Sequence, residues 1–155
     1  MAYTNSLAKV GRGTIVSIGP LASATGTPVY IPIGEVDNGS FGGGKWETAD
    51  VTNFNSGVNQ EFVSTIRDNG TIPLGGNLLD ADPGQLALQA AYNTGSKYLF
   101  QVQLAVGPGE TTTGTLYSFA ALVESFFDIT ISLKEAIKFK ATLKISGGIT
   151  TVVGG

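Results

Sequence analysis

The chain has 155 residues, a formal net charge of −3, 22 glycines, only 14% charged residues, and neither cysteine nor histidine. That length suits one core. The missing residue types exclude disulfides, thiolate metal sites, thiol nucleophiles, and the commonest general base and metal ligand. The slightly acidic balance offers no basic footprint for nucleic acid, and no run approaches the roughly 18 apolar residues of a membrane span.

Abundant glycine with many Thr, Val and Ile predicts a mainly β fold. The opening MAYTNSLAKVGRG has no apolar signal region, so a soluble protein made in a cytoplasm is expected, with residues 1–13 as a flexible arm. Strands are predicted over Thr14–Ile18 and Val29–Ile33, with Pro32 marking an edge or a bulge because it cannot donate to a ladder. A long loop follows at 37–57. It contains the glycine-rich DNGSFGGGK and a short strand at Trp46–Val51. Val58–Ile66 and Thr71–Leu79 read as strands flanking Asp68-Asn69-Gly70, a strong hairpin signal, with Gly75-Gly76 interrupting the second.

The single helix is expected at about 82–94. Asp82 is its N-cap, Pro83 takes the first turn, Gln85 the capping-box position and Gly95 the stop. Leu86, Ala87, Ala90 and Ala91 form its apolar stripe.

Three strands fill the last third: Lys97–Val106, Gly114–Leu133 and Ala136–Ser146. Strict alternation through YSFAALVESFF points Tyr117, Phe119, Ala121, Val123 and Phe127 one way, and Leu122 and Phe126 the other. That strand is apolar on both faces around the lone charge of Glu124, so a helix or another copy of the protein must cover the second face. The final strand alternates cleanly, with Ile137, Phe139, Ala141, Leu143 and Ile145 opposite Lys138, Lys140, Thr142, Lys144 and Ser146. The corner between these two strands lacks the glycine of a tight loop, so a longer connection is expected. One antiparallel register sets Asp128 opposite Thr142, diagonal to Lys140 and Lys144. Residues 14–147 form one domain, and 148–155 read as a flexible C-terminal tail.

No motif makes an enzyme. Gly39 to Gly44 followed by Lys45 and Trp46 imitates a phosphate-binding loop, but Trp46 stands where a magnesium-binding hydroxyl is needed and no helix follows. Asp80 and Asp82 lack the remaining oxygens of a calcium loop, and helix capping explains them better. The Asn38 and Asn69 sequons are Asn-Gly turns. Glu35 with Asp37, and Glu47 with Asp50, are solvated charges without organised neighbours. No catalytic residue, cofactor or metal is expected. Phe41 and Trp46, in a glycine-rich loop, either fold back on their own core or insert into a neighbouring subunit. The basic strand face of Lys138, Lys140 and Lys144 is a wet sheet surface or a polyanion contact.

Several elements in order carry a resemblance across Pro28 to Gly147. They are Glu47-Thr48 after the long loop, Asp68-Asn69-Gly70-Thr71-Ile72 at a strand turn and Asp82-Pro83-Gly84-Gln85 opening the helix. Phe119-Ala120-Ala121-Leu122-Val123 in the two-faced strand and Ser146-Gly147 after the last strand complete the series. In this the chain resembles the major tail tube protein of lambda-like, long-tailed bacteriophages. The resemblance implies a β-sandwich or partial barrel with one flanking helix, its strands completed by neighbouring subunits in a hexameric ring. Stacked rings form the hollow virion tail that conducts DNA to the host during ejection, assembled in the host cytoplasm. It implies ring-stacking contacts from the long loop (Phe41, Lys45, Trp46) and a subunit interface on the two-faced strand (Tyr117, Phe119, Leu122, Phe126). Implied partners are further copies, the tape-measure protein, the terminator and the baseplate or tail-tip proteins, with DNA passing unbound and no membrane. The lysine face should turn from the lumen or be offset by acids such as Asp128. The resemblance stops at Gly147, so no counterpart of lambda's additional C-terminal domain is expected. The rival readings are the inner tube of a contractile tail or type VI secretion system, and a monomeric β-sandwich module for head decoration or adhesion.

Overall fold

A computed structural model describes residues 11–155; residues 1–10, within the segment read as an arm, lie outside the described residues. The strands are β1 (Ile15–Leu21), β2 (Ile31–Pro32), β3 (Val36–Gly39), β4 (Lys45–Asp50), β5 (Phe62–Asp68), β6 (Thr71–Asn77), β7 (Lys97–Gln103), β8 (Leu116–Thr130), β9 (Lys138–Ile145) and β10 (Thr150–Val152). The helix α1 spans Pro83–Thr94. An antiparallel sheet runs β2-β1-β7-β8-β9-β6-β3, with β10 also paired to β8, while β4 and β5 form a separate two-stranded ribbon. The fold is mainly β, as the composition predicts, with the one helix that the Asp82 cap announces.

Alternation builds the core. Val16 and Ile18 of β1, Phe100 and Val102 of β7, Phe119, Ala121 and Val123 of β8, and Phe139, Ala141, Leu143 and Ile145 of β9 are buried together. Ile72 and Leu74 of β6 join them. The sheet curls so that its β1–β7 and β3–β6 portions border one cleft of about 360 Å³, floored by Val16, Val102, Ile72 and Leu74. The helix covers the rest of this inner face through Leu88 and Ala91, both fully buried.

Asp82-Pro83-Gly84-Gln85 does more than start the helix. The Asp82 carboxylate accepts the Gln85 amide at 2.9 Å and the Gly34 amide at 3.0 Å. Gln85, 2% exposed, accepts from the Leu79 amide and donates to the Gly34 and Asn77 carbonyls, each at 2.9 Å. A Cβ on Gly84 would overlap the Pro32 carbonyl oxygen. The four residues therefore clamp α1 onto the β2–β3 connection and the end of β6. Gly95 closes the helix in the left-handed conformation.

Several sequence expectations are corrected. The Asn69-Gly70 turn does not close a hairpin: it is a corner at which the chain leaves the ribbon (β5) and enters the main sheet (β6). Gly75 and Gly76 lie within β6, fully paired to β9, and do not interrupt it. The segment around Val29 contributes only the two residues of β2. Part of the expected flexible tail is strand: β10 pairs Thr150, Thr151 and Val152 with Ser118, Tyr117 and Leu116. The longer loop between the last two predicted strands is observed, spanning 131–137.

Candidate self-association surfaces

β8 organises the surfaces. Its first half is paired on both edges, to β7 over Leu116–Leu122 on one side and to β10 and β9 on the other. Beyond Leu122 only β9 remains, so Val123–Thr130 presents one bare edge. Two bulges lie in this half: Glu124 has no partner between Val123↔Leu143 and Ser125↔Thr142, and both Phe127 and Asp128 oppose Lys140. Each extra residue inverts the face on which later side chains fall. Phe126 is thereby turned into the core, 3% exposed, against Phe139 at 6.0 Å. Phe127 is turned out, half-exposed and edge-on to Tyr92 at 5.5 Å.

The residues expected at a subunit interface, Tyr117, Phe119, Leu122 and Phe126, are divided by this register. Phe119 and Phe126 are buried in the subunit's own core, where Phe119 stacks on Phe100 at 6.0 Å. Tyr117 packs against that core. Leu122, on the opposite face beside Lys144, is half-buried. The helix and the curled sheet cover the inner face, which is the first of the two covers the sequence allowed. Apolar exposure lies further along, at Phe127, Ile129, Ile131 and Leu133, the last 99% exposed. Sequence reasoning missed these residues because unbroken alternation assigned Phe127 inward and placed Ile131 and Leu133 inside a strand.

The ribbon is the second surface. Trp46 faces Arg67 across it, with the guanidinium 5.5 Å from the ring centroid. Lys45 is opposite Asp68. Phe62, Val63 and Ile66 are all exposed, and a bulge between Ser64 and Arg67 puts Ile66 on the same face as Val63. The connection at 51–61 is an ordered turn: Asp50 accepts the Thr52 amide, Asn53 accepts the Asn55 amide, and Ser56 Oγ accepts the Asn53 amide, at 2.9, 2.9 and 3.0 Å. Thr52 Oγ1 accepts the Glu61 amide at 2.9 Å, and Ser56 also donates to the Glu61 carboxylate. This network presents Phe54 and Val58 fully to solvent. The signal for Phe54 was available in the sequence, as an aromatic isolated in the polar stretch Thr52-Asn53-Phe54-Asn55-Ser56. Phe41, by contrast, folds back as one of its two alternatives foresaw, edge-on to Tyr117 at 5.3 Å and Phe119 at 6.1 Å.

The lysine face is largely neutralised. Lys138 binds Asp37 at 3.0 Å and the Asn77 side-chain carbonyl at 2.6 Å, and Lys144 binds both oxygens of Asp68 at 3.1 and 3.2 Å. The acids are Asp37 and Asp68, in place of the expected Asp128. The bulges put Asp128 opposite Lys140 rather than Thr142, and Lys140 forms no ion pair among the described residues. The Lys138 hydrogen bond holds the Asp37 carboxyl below the ordinary carboxylate value. The Gly70 amide, followed by Lys144, does the same for Asp68, and the Thr52 hydroxyl and amide for Asp50. Among the described residues no group of three or more acidic side chains has the geometry to hold a metal, and no helix is long and apolar enough to cross a membrane.

No protein-family model and no curated protein matches the sequence. Solved structures do match in fold. The tail of an empty gene transfer agent (GTA) particle, refined with C6 symmetry, superimposes with a TM-score of 0.68 at 18% identity, covering 94% of this chain and 100% of that one. The SPP1 tail tube gives 0.67 at 15% identity, over 94% of this chain and 79% of that one. The sheath–tube complex of an extracellular contractile injection system (PVC) gives 0.65 at 14% identity, over 94% and 90%. The class the fold defines is therefore the one shared by subunits of these tail and tube assemblies. At such identities the likeness is one of fold.

Proposed function

We propose that the chain is a structural tail tube subunit of a lambda-like, long-tailed phage, forming hexameric rings that stack into a hollow tube for DNA ejection. One observation carries the reading: the apolar surface left bare is concentrated on two projecting features, the ribbon and the far end of the β8–β9 pair, the latter beside a bare strand edge. A two-stranded ribbon is marginal alone in water, and a bare edge is a template for another strand. Both call for further copies of the same fold, and head-to-tail contacts that close make a ring. The C6 symmetry of the gene transfer agent tail supports six copies.

In this reading the ribbon makes the contacts between rings through Lys45, Trp46, Phe54 and Val58, with Phe41 anchoring its root. The interface within a ring falls on the β8 edge and Phe127–Leu133, with Leu122 alongside. Ion-paired Lys138 and Lys144 fit a wall that lets DNA pass without holding it. The tape-measure protein, terminator and tail-tip proteins are the proposed partners, and the virion tail, assembled in the host cytoplasm, is the proposed location. No catalytic role is proposed. The inner tube of a contractile system is the second reading, favoured by the comparable likeness to the injection-system tube.

Electron microscopy of the concentrated protein, with its mass in solution, tests this. Hollow tubes of stacked sixfold rings are expected, and their failure to recruit a contractile sheath separates the first reading from the second. A monomer that never polymerises, even with a tail-tip initiator, would favour the monomeric binding module.

A further inference from the structure

The stretch from Gly147 to Gly155 is held in an unusual way. β10 contributes three residues whose side chains are all exposed, so burial fixes the segment only at Ile149, which packs against the core. It is also pinned beyond the last residue of β10. The amides of Thr111, Thr112 and Thr113 converge on one oxygen of Gly155 at 2.9, 2.8 and 3.3 Å, and the Thr112 hydroxyl adds a fourth donor at 3.2 Å. The Gly155 amide returns a bond to the Thr113 carbonyl at 3.2 Å, and the Gly154 amide donates to Thr115 Oγ1 at 3.2 Å. A Cβ on Gly154 would overlap the Glu110 carboxylate. At the other end Gly147, with φ +95°, and Gly148 separate this segment from β9.

We propose that residues 147–155 are a releasable strap that covers the β8 edge at Leu116–Ser118 and restrains self-association until the Thr111–Thr113 latch opens. β7 holds one edge of this part of β8, so the strap covers the other, beside the place where β9 ends. An uncovered edge pairs readily with another chain. A cover held by three ladder positions, one apolar side chain and a few polar contacts at its ends, with glycines on both sides, opens at lower cost than global unfolding. The occupant that replaces the strap is a strand of a second copy, and that part rests on the tube reading.

The chain has no cysteine, so a reversible lock is clean. Ser118 and Thr150 are directly opposed, and the S118C/T150C variant closes the strap when oxidised. Its oxidised form should assemble at least about tenfold more slowly than its reduced form, as expected if local opening gates pairing. The reduced form is the folded control. Gly154→Val should speed hydrogen exchange at Thr150–Val152 about tenfold and also speed assembly. Equal assembly by the oxidised and reduced forms, or a released strap without faster assembly, overturns the restraint while leaving the tube reading intact. If neither wild type nor either variant ever associates, the tube reading falls and the restraint with it. Unchanged exchange in Gly154→Val overturns the latch itself.

Discussion

Gln85 shows how a residue chosen for its chemistry can serve architecture alone. Its amide satisfies one donor and two acceptors from two separate segments, at Gly34 and at 77–79, and it is 2% exposed. Removing it leaves those groups buried without partners. Gln85→Ala should destabilise the subunit by about 2–4 kcal/mol, and Gly84→Ala, which forces a Cβ onto the Pro32 carbonyl, by about 1–3 kcal/mol. Chemical denaturation checks both. Asp37 and Asp68 act at the surface, each held below the ordinary carboxylate value of 3.8 in the fold. Their contribution is therefore complete above that value and fades as the pH falls through the lower folded value. The melting temperature should decline from about pH 4 downward, and in Asp37→Asn with Asp68→Asn that acid slope should flatten.

At the scale of elements, β8 is decided by its bulges. The alternation that places Phe119, Ala121 and Val123 inward is legible in the sequence, and so is the whole of β9. Nothing in Val123-Glu124-Ser125 announces an extra residue, because a bulge is fixed by the partner strand rather than by the strand that carries it. Deleting Glu124 should remove the bulge and restore unbroken alternation, with Ser125 still opposite Thr142 and Phe126 still in the core. A cooperative unfolding transition, followed by circular dichroism, is therefore expected to persist. Its loss would falsify this register. The ribbon obeys a different logic. Phe54 and Val58 touch nothing within the subunit, so Phe54→Ala with Val58→Ala should leave stability within about 0.5 kcal/mol. The same variant should stop rings from stacking, as seen by electron microscopy.

For the whole molecule, closure is the issue. The sheet ends at β2 on one side and β3 on the other, and the second half of β8 is bare on one edge. Ile131 and Leu133 extend that edge with exposed apolar side chains. Charges there guard against strand pairing. Ile131→Lys with Leu133→Lys should keep the melting temperature within about 2 °C, because nothing buried changes, yet prevent ring formation. Size-exclusion chromatography with light scattering distinguishes rings from subunits.

Composition and periodicity by themselves determined the mainly β class, the single helix with its cap, the inner and outer faces of β9, and the absence of cysteine and histidine chemistry. These are local properties, written in adjacent residues. The tertiary structure alone decided that Phe119 and Phe126 belong to the subunit's own core, that Asp37 and Asp68 neutralise the lysines, and that the ribbon stands apart from the main sheet. It also decided that Thr150–Val152 returns to β8. Each of these depends on which distant segments meet, and a turn or bulge that shifts the meeting by one residue reverses every side chain beyond it.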